Sequence, residues 1–104
     1  MKRVALTMKL KKGCEVEYKI RHDNLWPEMA ELIKSYGIKD YSIFLDEETL
    51  TLFAVLKVPD DFSVENISVT GIQKKWWDYM ADIMEVNEDN SPKTRPLKEV
   101  FHLD

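Results

Sequence analysis

Tyr18 and His22 are the residues whose types and spacing best suit proton transfer in this chain of 104 residues. They stand four positions apart in a stretch of helical periodicity, so their side chains share one face of a helix. Histidine titrates near a pH of about 6.5, which lets it donate and accept protons around neutrality. A tyrosine hydroxyl one turn away can position a substrate hydroxyl or share the proton relay. The same spacing also fits a half-exposed histidine beside a core tyrosine, with no chemical role for either.

Three tryptophans form a second group of interest. Trp76 and Trp77 are adjacent, and neighbouring residues on a helix point about 100° apart, so one can face the core while the other borders a cleft. Trp26 adds a third indole. Aromatic faces suit the C–H faces of a sugar, and an indole N–H can bond to a hydroxyl. A packed aromatic core is the other and more common use of tryptophan.

Motifs for other chemistries are missing from the sequence. Three glycines are too few for a phosphate-binding loop of the usual kind. Cys14, the only cysteine, is too far from His22 along one helix for a Cys–His pair, and it is expected to act as a small apolar residue. His22 and His102 are too few for a histidine metal site, and no carboxylate stands at a ligand spacing. We therefore expect neither a metal nor another cofactor.

The composition is that of an ordinary globular protein, with 44% hydrophobic and 33% charged residues, and the length fits one domain over residues 1–104. A net charge of −4 argues against a nucleic-acid partner, because phosphate binding needs clustered lysine and arginine. The one basic run, Lys9 to Lys12, is predicted to be a solvated turn. No segment approaches the ~18 apolar residues of a membrane span, and no leader cleavage site follows the N-terminus. The expected location is the cytoplasm.

Hydrophobic periodicity predicts the element order β-α-β-β-α-β. Pro27 should kink or restart the first helical run, and Gly37 should end it. Thr70 should cap the last helix, because a glutamine follows three residues later. The predicted elements are strands over residues 3–10, 40–46, 50–58 and 97–103, a helical run over 14–36, a short helix from a cap at Asp60 or Asp61 toward Val69, and a helix through about Met84.

This order is the split-βαβ arrangement of an α+β fold, a four-stranded antiparallel sheet with both main helices on one face. The strands carry apolar or aromatic residues on both faces: Tyr41, Ile43 and Leu45 alternate with Ser42 and Phe44. A second copy packed sheet to sheet would bury the face that the helices leave open. The sequence therefore predicts a homodimer.

Several motifs taken together resemble the L-rhamnose mutarotase family over nearly the whole chain. The resemblance implies a dimeric ferredoxin-like α/β barrel. It also implies an isomerase of carbohydrate metabolism that interconverts the α and β anomers of L-rhamnose, an L-rhamnose 1-epimerase, without metal or cofactor. The motifs are Tyr18-x-x-x-His22, Leu25-Trp26-Pro27-Glu28, Tyr41-Ser42-Ile43-Phe44-Leu45-Asp46, Trp76-Trp77-x-Tyr79-Met80, Asn90-Ser91-Pro92 and Glu99-Val100-Phe101.

Carried over residue by residue, the resemblance implies a catalytic proton donor and a set of sugar contacts. Mutarotation opens and recloses a cyclic hemiacetal, so it needs a positioned acid and base but neither a redox step nor a strong nucleophile. Residues 59–72 are less like the family, which leaves contacts from that segment open. The implied proton donor is His22, and the implied sugar-contacting residues are Tyr18, Tyr41, Trp76 and Trp77.

Two other functions stay open from the sequence. Ferredoxin-like dimers also include cofactor-independent monooxygenases and haem-degrading enzymes, whose pockets use histidine and tryptophan, and fold alone does not separate them. A non-catalytic sugar-binding module would carry the same aromatic residues. Bound haem or oxygen uptake would indicate the first function, and saturable sugar binding without rate enhancement would indicate the second.

Overall fold

Alternating side chains on three long strands build a sheet with one buried face. The computed structural model describes residues 1–104. Its elements are β1 (Lys2–Lys9), α1 (Glu15–Asp23), α2 (Pro27–Ser35), β2 (Lys39–Asp46), β3 (Thr51–Val58), α3 (Val64–Ser68), α4 (Gly71–Met80) and β4 (Arg95–Leu97). The strands lie in the order β2-β3-β1-β4, and every neighbouring pair is antiparallel. This is the ferredoxin-like α+β fold that the sequence predicts.

The main core lies between the sheet and the helices. On β3, Leu52 and Ala54 are at most 1% exposed, and the register sets Leu52 opposite Met8 of β1. Buried side chains of α1, α2 and α4 cover these strand residues. Burying a leucine or methionine side chain of this kind stabilises the fold by about 1.5–3 kcal/mol.

The opposite face of the sheet is apolar and open in the single chain. Phe44 on β2 pairs with Phe53 on β3, and Leu97 on β4 pairs with Ala5 on β1. Phe44, Phe53 and Leu97 are 64%, 37% and 44% exposed. The sheet thus carries apolar residues on both faces, as the alternation in the sequence predicts.

The helices begin where capping and proline chemistry predict. Pro27 restarts the helical run as the first residue of α2, a position that tolerates its missing N–H, and Trp26 before it is extended with φ −57° and ψ 134°. Thr70 caps α4, because its hydroxyl accepts a hydrogen bond from the Gln73 N–H at 3.3 Å. The break at Pro27 therefore divides the predicted run into two helices.

The predicted cap of α3 at Asp60 or Asp61 is wrong. Residues 59–62 first form a turn, closed by a hydrogen bond of 3.0 Å from the Phe62 N–H to the Pro59 carbonyl. The residue at the cap position is Ser63, and the helix covers only Val64–Ser68. Both aspartates lie within this turn, so neither is at the cap position of α3.

The last helix and the last strand are both shorter than predicted. α4 ends at Met80 rather than near Met84, because the chain then turns and Met84 pairs with Leu10 beyond the end of β1. β4 covers only Arg95–Leu97 instead of residues 97–103. Beyond β4, a side-chain contact replaces backbone pairing, since Arg3 donates to the Glu99 carboxylate at 3.0 Å. The tail after β4 is therefore not part of the sheet.

Gly37 offers a test of the packing behind α2. It has a φ of 77°, and a Cβ added there would lie 2.8 Å from Cγ of Pro59. Gly13 has a φ of 82° but no atom within 4 Å of an added Cβ. We expect Gly13→Ala to lower the free energy of unfolding by about 1–2 kcal/mol through backbone strain alone. Gly37→Ala should lose about 1–3 kcal/mol more through overpacking, measured by urea unfolding. Equal losses of unfolding free energy in the two variants would show that the contact with Pro59 adds no destabilisation.

Candidate active site

Tyr18 and His22 form a stacked pair on α1. Their ring centroids are 4.3 Å apart, with 27° between the ring planes. His22 Nδ1 lies 3.2 Å from the backbone carbonyl oxygen of Tyr18. A carbonyl only accepts hydrogen bonds, so Nδ1 carries the proton and donates it. In the neutral imidazole, Nε2 is therefore the nitrogen with the lone pair.

Burial favours the neutral form of His22. The surrounding protein lowers the pKa of His22 below its ordinary value of 6.5. The hydrogen bond to the Tyr18 carbonyl and the charge of Asp23 act in the opposite direction and are weaker. At neutral pH the ring is mostly uncharged, so Nε2 can accept a proton.

Tyr18 and Tyr41 keep their phenol protons at neutral pH. Burial raises the pKa of Tyr18, and the neighbouring Tyr41 raises it further. Burial also raises the pKa of Tyr41, although 44% of that residue is exposed. Tyr41 lies beside an irregularity of β2 between Lys39 and Ser42, and it is close enough to Tyr18 of α1 to raise its pKa. Both hydroxyls are therefore available as hydrogen-bond donors.

Trp76 is the centre of an aromatic cluster on α4. It meets both His22 and Trp26 edge to face, with ring centroids 5.4 Å and 5.0 Å away. Tyr79 lies 5.6 Å from Trp76 and 5.4 Å from Trp26. Aromatic pairs of this kind contribute about 0.5–1.5 kcal/mol each beyond their area of burial. Trp76 is 7% exposed, whereas Trp77 is half-buried and packs against the main core with part of its surface open.

The fold brings together four of the five residues that the sequence singles out. Tyr18 stacks on His22, His22 meets Trp76 edge to face, and Tyr41 is near enough to Tyr18 to raise its pKa. These residues are up to 58 positions apart in the chain, from 18 to 76. The fifth, Trp77, is half-buried and packs against the main core. All five also border one broad open cleft, which 45 of the 104 residues line.

Sequence reasoning did not single out three residues that adjoin this cluster: Arg21, Tyr79 and Asp82. The Arg21 guanidinium lies 4.5 Å from the centroid of the Tyr79 ring and donates to Asp82 Oδ1 at 2.8 Å. Tyr79 follows Trp76 by three residues, a spacing that could have placed it on the same helix face. Arg21 and Asp82 are 61 positions apart, so no local spacing reveals that pair.

The side chains do not form a metal site. No group of three or more histidine, cysteine, aspartate or glutamate side chains is arranged to hold a metal ion. Cys14 is half-buried and packs against the main core, as expected for a small apolar residue. None of the helices has the length and apolar character needed to cross a membrane.

Fold and site together define a ferredoxin-like α+β protein that holds a neutral histidine in an aromatic-walled cleft. The family model for L-rhamnose mutarotase matches residues 3–103. The chain belongs to the L-rhamnose mutarotase family and is therefore an isomerase. The resemblance drawn from its motifs is confirmed.

Named relatives agree with this assignment. The chain is 59% identical to an L-rhamnose mutarotase of Flavobacterium johnsoniae, over 98% of this chain and 95% of the relative. It is 53% identical to one from Bacteroides thetaiotaomicron over the full length of both. The crystal structure of an L-rhamnose mutarotase from Formosa agariphila superimposes with a TM-score of 0.93 at 54% identity, covering 100% of each chain.

The free energy of unfolding should depend on pH through His22. Because the folded protein lowers the pKa of His22, the unfolded chain binds that proton at a higher pH than the folded protein does. Stability is then lost as the pH falls through the unfolded value of about 6.5, and the loss levels off below the folded pKa. We expect wild type to lose more stability than His22→Gln between about pH 7 and pH 5 in urea unfolding. Equal losses would contradict burial of a neutral His22.

Proposed function

We propose that this chain interconverts the α and β anomers of L-rhamnose, with His22 as the acid/base group. The proposal is carried by one observation: His22 Nδ1 lies 3.2 Å from the Tyr18 carbonyl oxygen, which leaves the Nε2 lone pair for proton exchange, and burial lowers the pKa of the ring. Family membership supports L-rhamnose as the substrate. A cytoplasmic location and independence of cofactors stay predictions from the sequence.

Ring opening requires two proton movements. One proton leaves the anomeric hydroxyl and one arrives at the ring oxygen while the bond between that oxygen and the anomeric carbon breaks. The open-chain aldehyde then rotates and recloses on its other face, which gives the other anomer. His22 Nε2 serves one of the two oxygens, taking its proton in one direction and returning it in the other.

The hydrogen bond of His22 to the Tyr18 carbonyl assists the proton transfer. When Nε2 takes a proton the ring becomes positively charged, and a hydrogen bond from a charged donor is stronger than one from a neutral donor. The carbonyl therefore stabilises the imidazolium at the moment it forms. It also holds the ring orientation, since the donor atom and the carbonyl belong to one helix.

The other four side chains suit the binding of a sugar. Tyr18 and Tyr41 carry protonated hydroxyls that can donate to sugar oxygens. Trp77 is half-buried at the cleft, so part of its ring is free to lie against the C–H face of a pyranose. Trp76 is buried and meets the His22 ring edge to face, so it supports the histidine.

Replacing His22 tests the proposed role directly. We expect His22→Ala to lose about 10²–10⁴-fold in the catalysed rate of anomer exchange, the usual contribution of a positioned acid/base group. Saturation-transfer NMR on L-rhamnose measures that rate, and circular dichroism checks the fold.

The matched control is His102→Gln, which changes the other histidine of the chain, located in the tail beyond β4. It should keep the wild-type rate. Wild-type exchange in His22→Ala would overturn the assignment. Saturable binding of L-rhamnose by the wild-type chain without any rate enhancement would instead indicate a sugar-binding module.

We further propose that the chain is a homodimer formed through the open face of the sheet. Phe44 and Phe53 lie opposite each other in the register, and Leu97 extends the apolar surface onto β4. These residues are exposed in the single chain. A contiguous apolar sheet surface of this kind is uncommon on a monomer, and a second copy presents the complementary surface.

Sedimentation equilibrium at micromolar concentration tests the homodimer. Wild type should sediment as a dimer and Phe44→Glu as a monomer, because a carboxylate in an apolar interface loses its hydration without gaining a partner. Val69→Glu is the matched control: Val69 is 70% exposed and follows α3, away from the sheet. A monomeric wild type would contradict the proposed homodimer.

A further inference from the structure

Arg21 joins α1 to the C-terminal end of α4. Its guanidinium donates to both carboxylate oxygens of Asp82, at 2.8 Å and 3.3 Å, and to the Tyr79 backbone carbonyl at 2.7 Å. It also donates to Glu17 at 2.7 Å and lies over the Tyr79 ring. Its side chain is only 11% exposed. The Tyr79 carbonyl belongs to the last turn of α4, where carbonyls lack partners within the helix, so Arg21 supplies the missing donor.

This contact matters because the site is divided between the same two helices. Tyr18 and His22 come from α1, whereas Trp76 comes from α4. Besides packing in the main core, where Tyr18 joins Trp76 and Met80, the two helices are held together by direct side-chain contacts.

Two side-chain links span the gap between these helices. One is the edge-to-face contact of His22 with Trp76, with centroids 5.4 Å apart. The other is the Arg21 cluster, which is connected back to Trp76 through Tyr79 at 5.6 Å. Arg21 and His22 are consecutive on one helix, so a shift of the Arg21 anchor moves the imidazole with it.

We propose that Arg21, anchored by Asp82, is a positioning residue that sets the place of the His22 imidazole over the sugar. The proposal rests on the proposed acid/base role of His22. A planar guanidinium holds a carboxylate with two parallel hydrogen bonds and stacks on an aromatic ring. A lysine ammonium is a compact charge without a planar group, so it cannot form the two parallel bonds or the stack. Arg21→Lys therefore keeps the charge and removes the defined geometry.

The experiment compares Arg21→Lys with a matched ion-pair variant on the same helix. Lys19 donates to Asp23 at 3.0 Å, and this pair is largely exposed, so Lys19→Gln removes an ion pair of α1 without touching α4. Arg21→Lys should lower kcat for anomer exchange by about 10- to 100-fold, since a displacement of about 1 Å costs about that much. Its KM for L-rhamnose should rise less than kcat falls, because Tyr18 shifts with α1 whereas the proposed Tyr41 and Trp77 contacts come from other elements. Lys19→Gln should keep KM and change kcat by at most about threefold, because Lys19 pairs only with Asp23, whose charge acts weakly on His22.

A spectroscopic readout accompanies the kinetics. In wild type, NOEs between the His22 ring protons and the Trp76 indole protons report the edge-to-face contact. Arg21→Lys should weaken these NOEs. All rates are measured per folded molecule, well below the unfolding temperature, so that lost stability does not pass for lost catalysis.

Asp82→Asn provides a second variant in case Arg21→Lys does not fold. It keeps the bonds of Arg21 to Tyr79 and Glu17 and loses the charged partner, so the drop in kcat should have the same direction and a smaller size. An unchanged kcat with unchanged NOEs in the folded variants would overturn the proposal and leave Arg21 a purely stabilising residue. His22→Ala is measured in parallel: wild-type exchange in that variant would instead overturn the proposed function.

Discussion

The hydrogen bond from His22 Nδ1 to the Tyr18 carbonyl is the constraint on which the chemistry of this site depends. Because a carbonyl cannot donate, the bond assigns the proton to Nδ1 and leaves the lone pair on Nε2. The donor and acceptor stand one turn apart on α1, so the tautomer follows from local helix geometry. Burial adds the second condition by lowering the pKa of His22, which keeps the ring neutral and able to accept a proton.

The rest of the fold serves to place that ring. The sheet supplies a buried face on which the helices rest, and Tyr41 of β2 lies close enough to Tyr18 to raise its pKa. Trp76 holds the imidazole from α4, and Arg21 ties α1 to the end of the same helix. Mutarotation already proceeds in water, so a neutral acid/base group, protonated phenols and an aromatic wall are sufficient machinery, and the chain needs no strained nucleophile.

Local rules predicted most of the fold. Strand alternation, the break at Pro27 and the cap at Thr70 depend on neighbouring residues, so the sequence shows them directly. The end of the last strand did not follow, because alternation continues to residue 103 whereas backbone pairing stops at Leu97 and the Arg3–Glu99 side-chain contact takes its place.

For the site, too, local features were predicted and long-range contacts were missed. The spacing of Tyr18 and His22 indicated a shared helix face, and the adjacent tryptophans stood out by type. The family resemblance added Tyr41 and gave Trp76 and Trp77 a sugar-contacting role. The tie of Arg21 to Asp82 joins residues 61 positions apart and could not be inferred from any local pattern. The tautomer of His22 depends on the α1 helix and its burial depends on the rest of the fold, so it is tested in the folded chain. Long-range ¹H–¹⁵N correlation of His22 at neutral pH measures it: the account predicts a protonated Nδ1 and an unprotonated Nε2 that shifts when L-rhamnose is added. A proton on Nε2, or a ring that is mostly charged at pH 7, would contradict it.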